Sequence, residues 1–296
     1  MQSPLSELLI QANKIRQKFL GQELELCSIL NAKSGSCGED CKFCAQSHKH
    51  RIDISTYPLK TKQEIIAAAK AAKAIGAKKF GIVTSGNRLT AEELAVIISS
   101  IVEIKDNFDI TVCGSLGALP KSDLEKLKQS GLVRYHHNIE TSENFYPRIV
   151  STHSFKERVD TIKAAKEVGL EVCSGGIVGM GESWQDRFDM AYILKELNAD
   201  SVPINFLVPI KGTPLESIKP ITYEDAIRTI CIFRIILKDK IIKIAAGRET
   251  ILKDHQSQGF MAGANGMLIG GYLTVKGQKP KEDYKLIKQI EDLWRK

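Results

Sequence analysis

Three of the chain's seven cysteines fall within eight residues, in the run Cys37-Gly-Glu-Asp-Cys41-Lys-Phe-Cys44. Thiolates are soft ligands suited to zinc or to iron–sulfur clusters. The spacing C-x3-C-x2-C puts three of them on one short loop, enough for three corners of a cubane with the fourth iron left open. A closed structural zinc site takes a fourth Cys or His, and His48 and His50 follow closely enough to supply one. The loop alone therefore favours an open iron–sulfur cluster and keeps zinc as the alternative. The other cysteines, Cys27, Cys113, Cys173 and Cys231, stand singly in apolar segments, where a thiol usually behaves as an inert core residue.

Other polar residues have spacings that suit a site. Asn138 and Glu140, in His136-His-Asn-Ile-Glu-Thr, alternate along an extended segment and so point the same way. They could bind the hydroxyls of a nucleoside cofactor or a urea-like amide. Arg248, between Gly247 and Glu249, would need an anionic or metal-bound partner if it turned inward. The glycine-rich stretch 172–182 matches neither the P-loop nor the dinucleotide fingerprint. Close approach by a nucleoside-like cofactor is its functional reading, and tight packing its structural one.

The elements that must carry these residues alternate regularly. Strand-like runs fall at 24–32, 79–84, 110–116, 133–138, 170–178, 201–208, 241–246 and 264–271. Between them lie helical patterns at 61–76, 90–105, 121–130, 154–168, 183–197, 223–237 and 249–259, with a last helix at 282–294. Such alternation implies parallel strands with helical crossovers. Eight units over about 250 residues suit a TIM-type (β/α)8 barrel better than an open doubly wound sheet. The chain reads as one α/β domain: an N-terminal helix over 1–23, the barrel over 24–277 and a C-terminal helix over 278–296. The chemistry-bearing residues sit at the C-terminal ends of the strands, which in a barrel form one mouth. Cys113 and Cys173, in the third and fifth strands, could point inward to a second metal site.

Composition narrows the class. With 43% hydrophobic residues among 296, the chain can bury a full core. Its net charge of +7 comes from lysines spread along helices, with no arginine-rich block. That argues against a nucleic-acid surface. No apolar run is long enough to span a bilayer, and the first residues do not form a secretory signal. Clustered, odd-numbered cysteines point to a reducing compartment, so the expectation is a soluble cytoplasmic protein.

Taken together, these residues resemble the biotin synthase family of radical S-adenosylmethionine enzymes over 26–277. The most specific pieces are Asn31-Ala-Lys-Ser-Gly-Ser-Cys-Gly-Glu-Asp-Cys-Lys-Phe-Cys, Tyr135-His-His-Asn-Ile-Glu-Thr-Ser, Val172-Cys-Ser-Gly-Gly, Ser201-Val-Pro-Ile-Asn and Ala246-Gly-Arg-Glu. The resemblance implies that Cys37, Cys41 and Cys44 hold a [4Fe–4S] cluster whose open iron binds S-adenosylmethionine. It implies a 5′-deoxyadenosyl radical that takes hydrogen from C9 and C6 of dethiobiotin, with sulfur from an auxiliary cluster, [2Fe–2S] or larger. Asn138 and Glu140 then match positions contacting cofactor and substrate, and Arg158 a position near the cofactor's carboxylate. Phe43 and Gly175 are further cofactor-side positions, while Asn205, Lys33 and Thr274 lie on the substrate side. Cys113, Cys173 and Arg248 match auxiliary-cluster ligands. The family further suggests a flavodoxin- or ferredoxin-type electron donor and a homodimer.

One departure stands out. The family's third auxiliary cysteine falls where this chain has Gly81, which cannot be a ligand. Cys27, on the neighbouring strand and at a similar depth, is the residue that could replace it. Loss of that cysteine also keeps alive a different radical enzyme on the same barrel, a maturase or mutase relative without sulfur insertion. A zinc-stabilised nucleic-acid-binding protein is the reading from another class.

Overall fold

The computed structural model describes residues 3–273 and 277–295. Its nine parallel strands are β1 (Glu25–Lys33), β2 (Lys79–Thr84), β3 (Thr111–Ser115), β4 (Arg134–His136), β5 (Glu171–Cys173), β6 (Gly176–Val178), β7 (Ser201–Phe206), β8 (Ile241–Ile244) and β9 (Gly266–Leu268). β1 pairs with both β2 and β9, and β7 pairs with both β5 and β6, so the sheet closes on itself. β5 and β6 together make one stave, giving an eight-staved barrel. The break at 174–175 answers to a close approach: a Cβ on Gly175 would lie 2.0 Å from the Pro203 carbonyl oxygen.

The surrounding helices start and stop where local chemistry dictates. Thr61, Thr90, Ser154 and Ser183 cap α2 (Lys62–Ala74), α3 (Ala91–Asn107), α5 (Phe155–Glu167) and α6 (Trp184–Glu196), each closing a capping box with an acidic residue in the first turn. Each such cap stabilises its helix by about 1 kcal/mol. α4 (Lys121–Ser130) ends at Gly131, whose φ of 107° is left-handed. Thr222 caps α7 (Tyr223–Leu237). Buried faces such as Ile97, Ile101 and Ile104 of α3 pack onto the sheet's outer side. The single helix expected over 249–259 is instead α8 (Arg248–Ile251), a 3-10 turn at Lys253–His255, and α9 (Gln256–Met261). Lys253, at φ 47°, breaks the run.

α1 (Leu5–Leu20) packs on α7 and α9. α10 (Pro280–Trp294) closes against the same corner, with Arg16 over the Trp294 ring at 4.0 Å. Among the described residues, no helix is long and apolar enough to cross a membrane.

TIM-type barrels are ordinarily packed inside with branched apolar side chains. Here the strands send Glu25, Cys27, Lys79, Arg134, Cys173, Lys243 and their neighbours into the interior, and they meet one another there. The polar interior is what the barrel is built around.

Candidate active site

The site has three levels, beginning with a charged floor near the N-terminal ends of the strands. Glu25 receives Arg134 at 2.6 Å, Lys243 at 2.7 Å and Lys79 at 3.3 Å. Glu171 receives Arg134 at 2.8 Å and Lys79 at 3.4 Å. Burial pushes the Glu25 carboxyl up, but Lys243, Arg134 and Lys79 outweigh it and hold the group well below the usual carboxylate range. Three cations thus face two carboxylates, an excess of buried positive charge that calls for an anion.

Thiols supply the second level. Cys27, Cys113 and Cys173 are all buried and all free. Lys243 Nζ donates to Cys27 Sγ at 3.1 Å. Burial pushes the Cys27 thiol up, and Lys243 opposes that push. Burial takes Cys113 up to about 12, with Cys27 adding to it and Arg134 and Lys243 working against it. Cys173 lines the cavity above, whereas Cys27 and Cys113 do not. His136 Nε2 and Ser201 Oγ are buried in this region without any hydrogen-bond partner. Unpaired buried polar atoms are costly and rare. Three thiols, an unspent imidazole nitrogen and surplus positive charge together fit an anionic, thiolate-bound cluster.

Register modifies the expected place of Cys27. Ile29 pairs with Gly81, and Cys27 pairs with Lys79. Cys27 is therefore one inward step below Gly81, not beside it. Ile29 takes the space next to the glycine, 3.1 Å from where its Cβ would be.

At the third level a cavity of about 300 Å³ opens toward the C-terminal ends of the strands. Cys37, Cys41, Cys44 and Phe43 line one side, and Asn138, Glu140, Arg158, Asn205, Cys173 and Lys243 line the rest. The 37–44 loop is sewn to segment 149–153. Asp40 accepts from the backbone N–H of Ser151 at 2.9 Å and of Thr152 at 3.2 Å, and from both hydroxyls, while Lys42 N–H donates to the Ile149 carbonyl at 3.0 Å. Burial pushes Cys44 up to about 11 and Cys41 higher, with Arg158 acting against the rise at Cys41. His48 and His50 each spend a ring nitrogen on the loop backbone: His48 Nδ1 lies 2.8 Å from the Cys37 carbonyl, and His50 Nε2 3.0 Å from the Cys41 carbonyl. Neither supplies the fourth zinc ligand that the sequence left open. Among the described residues, no three His, Cys, Asp or Glu side chains converge on one point as a single ion requires.

Asn138 and Glu140 do face the same cavity, though not along an extended strand. β4 ends at His136, and Glu140 takes a left-handed φ of 67°. Asn138 Nδ2 donates to Glu140 Oε2 at 3.3 Å, and Asn138 Oδ1 accepts from Gly175 N–H at 3.2 Å. Burial raises the Glu140 carboxyl, opposed by Arg158, whose Nη1 stands 3.9 Å away. Asn205 bridges staves: its Nδ2 donates to the Gly176 carbonyl at 3.1 Å and its Oδ1 accepts from Ala246 N–H at 3.1 Å.

Two expectations fare differently. Arg248 does not join the thiols. It is 1% exposed, and it donates to Asp283 at 2.6 Å, Tyr272 at 3.1 Å, Gln278 at 3.1 Å, the Leu268 carbonyl at 3.3 Å and Gln256. With its donors spent on the C-terminal segment, Arg248 ties α10 to the barrel. The cation beside the sulfurs is Lys243. Lys33 is held at the rim by Glu93 at 2.7 Å and does not line the cavity. Thr274 lies outside the described residues. Glu25, Lys79, Arg134, Lys243 and His153 also belong to the site but stand outside the motifs singled out in the sequence. The available signal was a charge alone among apolar neighbours, as in Ile241-Ile-Lys243-Ile.

Comparison with known proteins places this geometry in a lineage. Residues 33–192 match the radical SAM superfamily, and residues 203–291 match the Biotin and Thiamin Synthesis associated domain. The chain is 50% identical over 290 residues to the biotin synthase of Thermotoga petrophila, covering 98% of this chain and 96% of the relative. It is 53% identical over 271 residues to that of Thermotoga neapolitana, covering 91% and 97%. The chain belongs to the biotin synthase family. Membership of the radical SAM superfamily implies a [4Fe–4S] cluster and S-adenosylmethionine, and membership of the biotin synthase family implies an auxiliary cluster. Solved structures of lower identity share the fold. Methylornithine synthase superposes with a TM-score of 0.84 at 20% identity, covering 98% of this chain and 89% of that one. The FeFe-hydrogenase maturase of Carboxydothermus hydrogenoformans gives 0.83 at 17%, covering 96% and 70%.

Proposed function

We propose that this chain makes biotin from dethiobiotin in the cavity between the 37–44 loop and Cys173. The carrying observation is that one cavity joins the cysteine loop, the polar cluster Asn138–Glu140–Arg158 and Cys173. When bound, the clusters and S-adenosylmethionine supply the radical that takes hydrogen from C9 and C6 of dethiobiotin and the sulfur that bridges those carbons.

The protein's own residues hold and orient. Cys37, Cys41 and Cys44 hold the radical-generating cluster at the mouth, beside Phe43. Arg158 takes the cofactor's carboxylate, and Asn138 and Glu140 take hydroxyl or amide groups of cofactor and substrate. The Gly175 approach keeps this wall thin. Asn205 has one N–H and one oxygen lone pair left after its bonds to the Gly176 and Ala246 backbones. A donor and an acceptor on one amide match the carbonyl and N–H of a ureido ring.

Cys27, Cys113 and Cys173 hold the auxiliary cluster, with Lys243 beside it as the charge-balancing cation. Three thiolates are one fewer than the four ligands a [2Fe–2S] core usually takes, so we assign a core whose nuclearity or ligation differs from that form. A flavodoxin- or ferredoxin-type electron donor and a homodimer belong to the same proposal.

Anaerobic reconstitution with iron and sulfide, followed by reduction with S-adenosylmethionine and dethiobiotin, tests it by mass spectrometry of the products. Biotin together with 5′-deoxyadenosine is expected. Formation of 5′-deoxyadenosine with dethiobiotin left intact would replace the assignment with a radical enzyme that does not insert sulfur.

A further inference from the structure

Behind the cysteine loop runs a chain of polar side chains that core packing does not require. Arg158 Nε lies 2.7 Å from Tyr146 Oη, Tyr146 Oη lies 2.7 Å from His153 Nδ1, and His153 Nε2 lies 3.6 Å from Cys41 Sγ. Tyr146, Cys41 and His153 are 1%, 8% and 8% exposed.

Chemistry fixes the direction of each bond. A guanidinium only donates, so the Tyr146 oxygen accepts from Arg158 and its own O–H goes to the other neighbour. His153 Nδ1 therefore accepts. A ring nitrogen that accepts carries no proton, so the imidazole's one N–H belongs to the other nitrogen. That proton sits on Nε2, the nitrogen turned toward Cys41. Glu39 Oε2 is the competing acceptor, but at 3.9 Å it is beyond hydrogen-bond range, whereas 3.6 Å to sulfur is within the longer reach of that atom.

We infer that His153 is a positioning residue that delivers an N–H···S hydrogen bond to Cys41, with its tautomer set by Tyr146 and Arg158. The inference rests on the reading that Cys41 holds the radical-generating cluster. Hydrogen bonds to a ligating sulfur stabilise the more reduced, more negative state and raise the potential. Of the three loop cysteines, Cys41 is the one this chain reaches.

Two measurements test the inference without relying on turnover. In the iron-free protein labelled with ¹⁵N-histidine, the His153 shifts should report an Nε2–H tautomer, and Tyr146→Phe should release that preference. An Nδ1–H tautomer in the parent overturns the proposal. In the reconstituted protein, spectroelectrochemistry should place the midpoint potential of His153→Ala below the parent's, with iron content retained. His153→Gln, which keeps an N–H at the Nε2 position, should return it toward the parent value. Equal potentials in parent and His153→Ala, or a Gln variant as low as the Ala variant, overturn it. The tautomer result stands even if cluster assembly fails, which separates this proposal from the assignment of Cys41 as a ligand.

Discussion

A lysine buried among thiols must keep its proton or leave its acidic neighbour uncompensated. Lys243 keeps it because Glu25 stands 2.7 Å away, with Cys27 at 3.1 Å on the other side. Removing one member of such a set leaves buried charge without a partner, which costs about 3–5 kcal/mol. Glu25→Gln should therefore lower the denaturant stability of the reduced, iron-free protein by that order. The pH dependence has a definite sign. The folded-state carboxyl is held below its ordinary value, so its stabilisation is complete above the unfolded pKa of about 4.3. Parent and variant should differ by a constant amount above that pH, and the gap should shrink as pH falls below it. At the sulfurs, Cys27→Ser should cut iron and sulfide per chain and remove the auxiliary cluster's absorption while the loop cluster remains. An unchanged count and spectrum would make Cys27 plain core.

Elements place these residues more tightly than their sequence suggests. β5 and β6 are separate because Gly175 lies against the β7 backbone, where an added Cβ would meet Pro203 O at 2.0 Å. The obstacle is backbone and cannot swing aside. Gly175→Ala should destabilise the protein by about 1–3 kcal/mol and shift the Asn138 side chain that accepts from the Gly175 N–H, seen as a lower denaturation midpoint and weaker S-adenosylmethionine binding by calorimetry. The barrel was legible because its signals are local. α4 and α7 begin and end as read: Pro120 and Gly131 bracket α4, and Thr222 caps the start of α7. The mouth was legible because its cysteines are neighbours in the chain. The floor was not, because Glu25, Lys79, Arg134 and Lys243 sit on four different staves and each reads alone as an ordinary charge. Arg248 misled for the converse reason. Its flanking Gly-Arg-Glu fits a site, while its partner Asp283 comes from the last helix.

Across the whole molecule, the charged floor decides what the barrel can pass. Glu25, Arg134 and Lys243 are at most 6% exposed and are locked to one another, so the far end is plugged. Among the described residues, the cavity above this floor opens toward the C-terminal ends of the strands. A ligand that reaches Cys173 through that opening passes the 37–44 loop and Arg158 both on the way in and on the way out. Traffic through a single door acquires an order: the occupant of the lower berth arrives first and departs last. Dethiobiotin should therefore bind the reconstituted protein without S-adenosylmethionine, and bound S-adenosylmethionine should slow its dissociation. Stopped-flow exchange of labelled dethiobiotin would show this, and an off-rate indifferent to the cofactor would mean that the cavity has a second opening.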